Sequence, residues 1–246
     1  MDILYGKNPV LEALRSGRAV RKLVVAEGMR EEPRLREILD CAARAGVTVE
    51  ETSRRRIDDI AHSEHHQGVA GYFSARAAIG LEELIIAASA PALFLVLDGI
   101  QDPQNLGALA RSAEAVGVDG MVIGKHRAAA LTASVAKASA GATEHVRVAT
   151  VTNLVGALDH LAESGMWRIG LAAEGTTRYD EFDYTTPAAL VVGAEGEGLR
   201  PLTRRHCDAL VSLPMLGRIS SLNAGVAGGI LLYEAARQRG FAVRKP

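Results

Sequence analysis

The sequence predicts an α/β protein: a small α/β unit first, then a larger unit built on a parallel sheet. Three observations carry this reading. Near-continuous apolar runs recur at residues 93–97, 121–123, 168–172, 190–192 and 209–213. Such runs suit strands buried on both faces. Segments with helical spacing separate them, and repeated strand–helix alternation yields a parallel sheet covered on both sides. Between residues 76 and 91 the composition turns alanine-rich, with one short amphipathic piece, Leu81-Glu82-Glu83-Leu84-Ile85, ending near Pro91. That stretch reads as a linker. The expected boundaries are therefore 1–75 for the first domain, 76–91 for the linker and 92–246 for the second domain.

Within the first domain, Lys22-Leu23-Val24-Val25-Ala26 is strand-like. Residues 33–45 follow with Leu35, Ile38, Leu39 and Ala42 at helical spacing. Gly46 closes that helix, Val47-Thr48-Val49 resumes a strand, and Val69-Ala70-Gly71-Tyr72-Phe73 is another. No internal repeat or low-complexity tract interrupts the chain.

Composition sets bounds on function. Apolar residues are 48% and charged residues 23% of the 246, an ordinary globular balance. No apolar run is long enough to span a bilayer. The first residues, Met1-Asp2-Ile3-Leu4-Tyr5-Gly6-Lys7, lack a basic stretch followed by an apolar core, so a signal peptide is not expected and the protein is expected in the cytoplasm. Cys41 and Cys207 stand far apart, which indicates neither a disulfide framework nor a zinc site. Net charge is -1, so any attraction to a polyanion must be local. Arg15, Arg18, Arg21 and Lys22 form one basic group. Arg54-Arg55-Arg56, Lys125-His126-Arg127 and Arg204-Arg205-His206 form three more. Each alone reads as a solvated face; four together shift the reading toward a polyanion partner. Aromatic residues are only 4%, so extensive base stacking is not the expected mode of binding. Glu64, His65 and His66 resemble a metal cluster only superficially. On a strand, adjacent side chains point to opposite faces, and no further ligand is near in sequence. No metal is expected.

Three segments could carry chemistry, each just beyond the C-terminal end of an expected strand, the edge where open α/β sheets bind ligands. The first is Asp98-Gly99-Ile100-Gln101-Asp102-Pro103-Gln104-Asn105-Leu106-Gly107, running into a helix. Leu106, Leu109, Ala110, Ala113 and Val116 form that helix's apolar stripe, Asn105 lies in its first turn, and Arg111 points away from the stripe. The second is Gly193-Ala194-Glu195-Gly196-Glu197-Gly198. Its glycines allow close backbone approach or positive φ. The spacing is not that of a dinucleotide fingerprint, and no phosphate-loop lysine is present. Two carboxylates would repel a phosphate and accept a cationic ligand such as a sulfonium. The third is Leu213-Pro214-Met215-Leu216-Gly217-Arg218-Ile219-Ser220-Ser221-Leu222-Asn223, which opens the last helix. Gly225, Gly228 and Gly229 inside that helix each cost about 1 kcal/mol relative to alanine. Close packing against another segment, in the chain or across an oligomer interface, is the expected compensation. Ser221 and Asn223 are the candidates there for polar ligand contact.

In this order and spacing the three segments resemble the signature motifs of the SpoU branch of the SPOUT methyltransferases. The resemblance rests on Asp102-Pro103-Gln104-Asn105-Leu106-Gly107 with Arg111, on the 193–198 loop, and on Leu213-Pro214-Met215 with Ser221-Leu222-Asn223. It extends to Tyr5-Gly6-Lys7-Asn8-Pro9-Val10-Leu11-Glu12-Ala13-Leu14 and His66-Gln67-Gly68-Val69-Ala70, which look like the family's substrate-binding domain, itself similar to a kink-turn-binding ribosomal protein. The resemblance implies methylation of a ribose 2'-hydroxyl in RNA with S-adenosyl-L-methionine as cofactor. It implies a parallel sheet whose C-terminal part is threaded into a deep trefoil knot, and a homodimer. Gly193, Leu213 and Leu222 would contact the cofactor. Asn105, Arg111, Glu195, Ser221 and Asn223 would form the catalytic group. An arginine stays protonated, so Arg111 is read as stabilising a developing alkoxide rather than as a base. Within the family the sequence most resembles the group that methylates a guanosine in the peptidyl-transferase loop of 23S rRNA. The N-terminal domain, which the tRNA enzymes of the branch generally lack, favours rRNA as the implied substrate, free or in a large-subunit assembly particle. The alternatives are tRNA ribose methylation and a non-catalytic RNA-binding assembly factor. The sequence departs from the family pattern at Ala224-Gly225, where a larger residue and a serine are usual.

Overall fold

A computed structural model describes residues 1–126 and 128–241. Arg127 of the third basic group, and residues 242–246 at the end of the second expected domain, lie outside the described residues. The chain divides into two compact units, Met1–Ala77 with Leu131–His145, and Ala78–Ala130 with Val146–Pro246. Residues 131–145, which lie inside the 92–246 stretch, thus fold with the first unit.

In the first unit, β1 (Asp2–Tyr5) leads into α1 (Lys7–Arg15), then β2 (Val20–Ala26), α2 (Pro33–Arg44), β3 (Val49–Thr52), α3 (Arg54–Ala61) and β4 (Val69–Phe73). The sheet order is β1-β4-β2-β3, with β4 antiparallel to both neighbours and β2 parallel to β3. Alternation along β2 builds two cores. Leu23 and Val25 join Val10, Leu11, Ile38 and Phe73 on one face. Val24 and Ala26 join Ile57 and Ala70 on the other.

Two sequence expectations change here. Residues 64–66 form a short 3₁₀ turn rather than a strand. His66 is buried within the unit, its Nδ1 accepts the Gly68 N–H at 2.8 Å, and its Nε2 lies 2.9 Å from Asp58 Oδ1. An Nδ1 that accepts leaves the proton on Nε2, which donates to Asp58. His66 is a structural histidine. Arg18 is likewise no solvated residue. Only 8% of its side chain is exposed, and it pairs with Asp2, with Glu144 at 3.1 Å and with the Ser74 carbonyl. The reason lies in Glu144, which is 3% exposed and needs a counter-charge out of reach of water.

In the second unit, α4 (Leu81–Ile86) precedes β5 (Leu93–Asp98), α5 (Pro103–Val116) and β6 (Gly120–Gly124). The chain then supplies α6 (Ala133–Ala138) to the first unit and returns as β7 (Val148–Val151). After it come α7 (Leu154–Glu163), β8 (Trp167–Leu171), β9 (Thr177–Arg178), β10 (Ala188–Gly193), α8 (Pro201–Arg205), β11 (Ala209–Ser212) and α9 (Ala224–Gln238). Among the described residues the sheet has seven strands in the order β7-β6-β5-β10-β8-β11-β9, every pair parallel. Every residue of β5 and β10, at its centre, is buried. The sequence reading missed β7 and β9: one is a short edge strand without a continuous apolar run, the other only two residues long. The helix expected within the linker buries Leu84 completely, and a Cβ on Gly120 would meet that side chain at 2.6 Å.

The three glycines of α9 face α5. A Cβ on Gly228 would lie 2.4 Å from Leu109 Cδ2, and one on Gly225 3.0 Å from the Ala108 Cβ. Close packing inside the chain is therefore what offsets their helical cost. In the first unit, Arg18→Ala removes the ion pair of the buried Glu144 and leaves Arg76 as the nearby cation, so stability is expected to fall by about 1–3 kcal/mol in urea denaturation. A loss of about 3–5 kcal/mol would show that Arg76 does not compensate the carboxylate.

Candidate active site

The C-terminal ends of β5 and β10 lie side by side, with Gly193 the register partner of Asp98. The loops that leave them therefore share one edge of the sheet. After β5, Asp102 caps α5 by accepting the N–H groups of Gln104 at 3.1 Å and Asn105 at 3.3 Å, and Pro103 occupies the first helical position. The cap fixes Asn105 in the first turn, where it is buried.

After β10, the loop doubles back on itself. Gly198 N–H donates to the Ala194 carbonyl at 2.9 Å, and Gly196 and Gly198 sit at φ +82° and +66°. A Cβ on Gly193 would lie 2.2 Å from the Gly198 carbonyl carbon, so the turn closes only over a residue without a side chain. The far end of the loop is tied down by Asp98. This carboxylate is wholly buried and accepts the Arg200 N–H at 2.8 Å as well as its guanidinium. Glu195 is thereby held facing α5.

Three side chains from three loops meet there. Asn105 Nδ2 donates to Glu195 Oε2 at 3.0 Å. Asn223 Nδ2 donates to Asn105 Oδ1 at 2.7 Å and lies 3.3 Å from Glu195 Oε2. The other end of Asn223 caps α9, its Oδ1 accepting the N–H groups of Gly225 at 3.0 Å and Val226 at 3.2 Å. With its oxygen committed to the helix, the Asn223 amide can present only donors to the cluster. The helix N–H groups here are satisfied by Asn223 itself, and a larger residue at Gly225 would press on Ala108.

Beside the cluster lies a cleft of about 380 Å³. Leu171, Val192, Leu213, Met215 and Leu222 give it apolar walls, and Gly193 and Ser221 also line it. Its charged lining is acidic: Glu174, Glu195 and Glu197, with no lysine or arginine among the described residues of the wall. Glu174 is paired outside the cleft with Arg204. Among the described residues no group of three or more His, Cys, Asp or Glu side chains could hold a metal ion, and no helix is long and apolar enough to cross a membrane.

The structure thus brings Asn105, Glu195 and Asn223 into one hydrogen-bonded group and places Gly193, Leu213, Ser221, Leu222 and Glu195 on the cleft. Ser221 is exposed and makes no hydrogen bond among the described residues. Arg111 does not join the group. It is exposed on α5, as its helical phase requires, and has no ion pair among the described residues. Sequence reasoning missed Arg200 and Glu174, and placed Asp98 and Met215 within its three segments without giving either a role. For Asp98 a signal existed: an aspartate closing an otherwise wholly apolar run is a buried carboxylate that needs a partner.

The fold thus carries, at the C-terminal edge of its central parallel strands, an acidic, partly apolar cleft bordered by a locked Asn–Glu–Asn group, a lining whose chemistry suits an organic cation. Residues 92–233 match the SpoU rRNA methylase family, and residues 3–77 match the RNA 2'-O ribose methyltransferase substrate-binding family. The chain belongs to the SpoU family of RNA 2'-O-methyltransferases. It is 43% identical over 239 residues to the 23S rRNA (guanosine-2'-O-)-methyltransferase RlmB of Xanthomonas campestris pv. campestris, covering 96% of both chains. It is 44% identical over 240 residues to an uncharacterized tRNA/rRNA methyltransferase of Mycobacterium leprae, covering 97% of this chain and 78% of that one. Among solved structures it resembles the SpoU methyltransferase AviRb from Streptomyces viridochromogenes in complex with AdoMet. The TM-score is 0.81 at 26% identity, over 96% of this chain and 89% of that chain.

Gly193→Ala forces the 194–198 turn open against backbone atoms. It is expected to cost about 1–3 kcal/mol in chemical denaturation, as for overpacking elsewhere. A crystal structure of the variant should show Glu195 withdrawn from Asn105, whereas an undisturbed loop would contradict the steric argument.

Proposed function

We propose that the chain methylates the 2'-hydroxyl of a guanosine in the peptidyl-transferase loop of large-subunit rRNA, in the cytoplasm, with S-adenosyl-L-methionine as methyl donor. The observation that carries this reading is the acidic cleft bordered by the Asn105–Glu195–Asn223 group. The donor is a cation with an apolar thioether arm and an adenine. Glu195 and Glu197, which have no lysine or arginine partner among the described residues, suit its charge, and Leu213, Leu222, Met215 and the bare backbone at Gly193 suit its flat and apolar parts. When bound, it supplies a methyl group activated by positive sulfur.

The chain must then align a ribose oxygen with that methyl and ease proton loss from a weakly acidic hydroxyl. Asn105 and Asn223 fix the Glu195 carboxylate on the border of the cleft. Ser221, on the cleft wall, is left to contact the ligand. Arg111 stabilises the developing alkoxide and the adjoining phosphate, a task that suits a permanently charged guanidinium. From Asn105 it lies six residues on, about 9 Å along the helix and roughly 240° around it. It therefore faces away from its own cluster and serves the site of a second copy. A homodimer is supported by the apolar groove formed by Ala108, Ser112, Gly225, Val226, Gly229 and Tyr233, whose Val226 and Tyr233 are about half exposed. The trefoil knot belongs to the same reading, and the insertion of β10 between β5 and β8 supports it.

Arg111→Ala should abolish methyl transfer while calorimetry shows nearly unchanged S-adenosyl-L-methionine affinity. An equal loss of both would overturn the division of roles. Mixing Arg111→Ala with Asn105→Ala subunits should restore activity, because one of the two sites in a mixed dimer is then intact. No restoration would place both residues in one chain's site. The target is tested by mapping 2'-O-methyl groups in rRNA and tRNA with and without the gene. The M. leprae relative's tRNA/rRNA designation keeps tRNA as the second reading, and a change confined to tRNA would establish it.

A further inference from the structure

The first unit holds an ammonium group with no counter-ion among the described residues. Lys137 on α6 is partly buried, and its Nζ donates to Gln67 Oε1 at 2.7 Å. It has no ion pair among the described residues, and burial holds its pKa below the usual lysine value. Lys7, whose backbone N–H shares the Gln67 oxygen, instead pairs its ammonium with Glu32 at 2.6 Å. A neutral amide oxygen orients the Lys137 ammonium and leaves its full charge for an outside anion.

The surroundings are shaped to keep that charge available. Gln67 adopts φ +54°, a left-handed conformation rare outside glycine, and its side-chain oxygen also accepts the Lys7 backbone N–H at 3.1 Å. Strain of this kind persists only where the surroundings over-determine it, and it concentrates at ligand sites. Gly6, at φ +92°, clears the space beside the lysine: a Cβ there would lie 2.7 Å from Lys137 Nζ. The exposed Asn8 follows in the first turn of α1.

We propose that Lys137, positioned by Gln67, is a contact for a backbone phosphate of the RNA substrate. The proposal rests on the RNA-methylation reading. It assigns part of the grip on RNA to a residue from the 131–145 stretch rather than to residues 1–77 alone.

The test is binding of the full-length chain to a large-subunit rRNA transcript and to a tRNA transcript, by fluorescence anisotropy across a salt series. Lys137→Ala should weaken binding several-fold and reduce the salt slope by about 1, while Lys137→Arg keeps the slope. Gln67→Gly relaxes the backbone, so it should retain thermal stability and still weaken RNA binding. Wild-type affinity and slope in Lys137→Ala would overturn the contact. So would a Gln67→Gly variant that loses thermal stability yet keeps its RNA affinity, because Gln67 would then be a helix cap only. If the wild-type chain bound neither transcript, the RNA reading itself would fail, and this contact with it.

Discussion

The parallel pairing of β5 with β10 is the constraint on which the second unit depends. These two strands are far apart in sequence, yet they run together through six register pairs and end with Asp98 beside Gly193. Both are buried along their whole length, so their polar groups must be satisfied by the ladder and by the loops at its end. At Asp98 that need becomes structure. A carboxylate with no access to water takes two donors from Arg200, and in doing so fixes where the glycine-rich loop must return. The loop's shape, the Glu195 position and the acidic side of the cleft all derive from that one tie.

The electrostatics of the cleft have their origin in the same geometry. Cations lie close by, but they are committed elsewhere: Arg200 to Asp98 and Arg204 to Glu174. The first pairing takes Arg200 to a buried carboxylate outside the lining, the second neutralises Glu174 in the wall, and Glu195 and Glu197 remain without a cationic partner among the described residues. A cleft assembled this way discriminates by charge before it discriminates by shape.

Much of this was legible in the sequence, and the exceptions have physical causes. The runs at 93–97 and 190–192 declared themselves because a strand buried on both faces has no room for polar residues. The stripe on α5 placed Asn105 in its first turn and turned Arg111 outward, as found. Spacing could not show that Asn105, Glu195 and Asn223 touch, since strand order decides which loops share an edge, and order is not a local property. Arg18 and His66 were misread because burial depends on partners remote in sequence, Glu144 in the first case, and on a tight local turn in the second. The edge strand at residues 148–151 escaped because a strand at the margin needs no continuous apolar run.

Asn223 gives one side chain two employments, and they close a circuit. Its oxygen holds the first turn of α9. That helix lies on α5 through Gly225 and Gly228, α5 carries Asn105, and Asn105 returns to the Asn223 nitrogen. A ring of this kind has no independent joint. Fraying at the start of α9 releases the amide from the cluster, and disturbing the cluster loosens the helix end. The polar group and the first turn of α9 therefore form a single cooperative element, and moving Asn223 out of either one would disturb the other, in a helix whose far end touches nothing in the cleft.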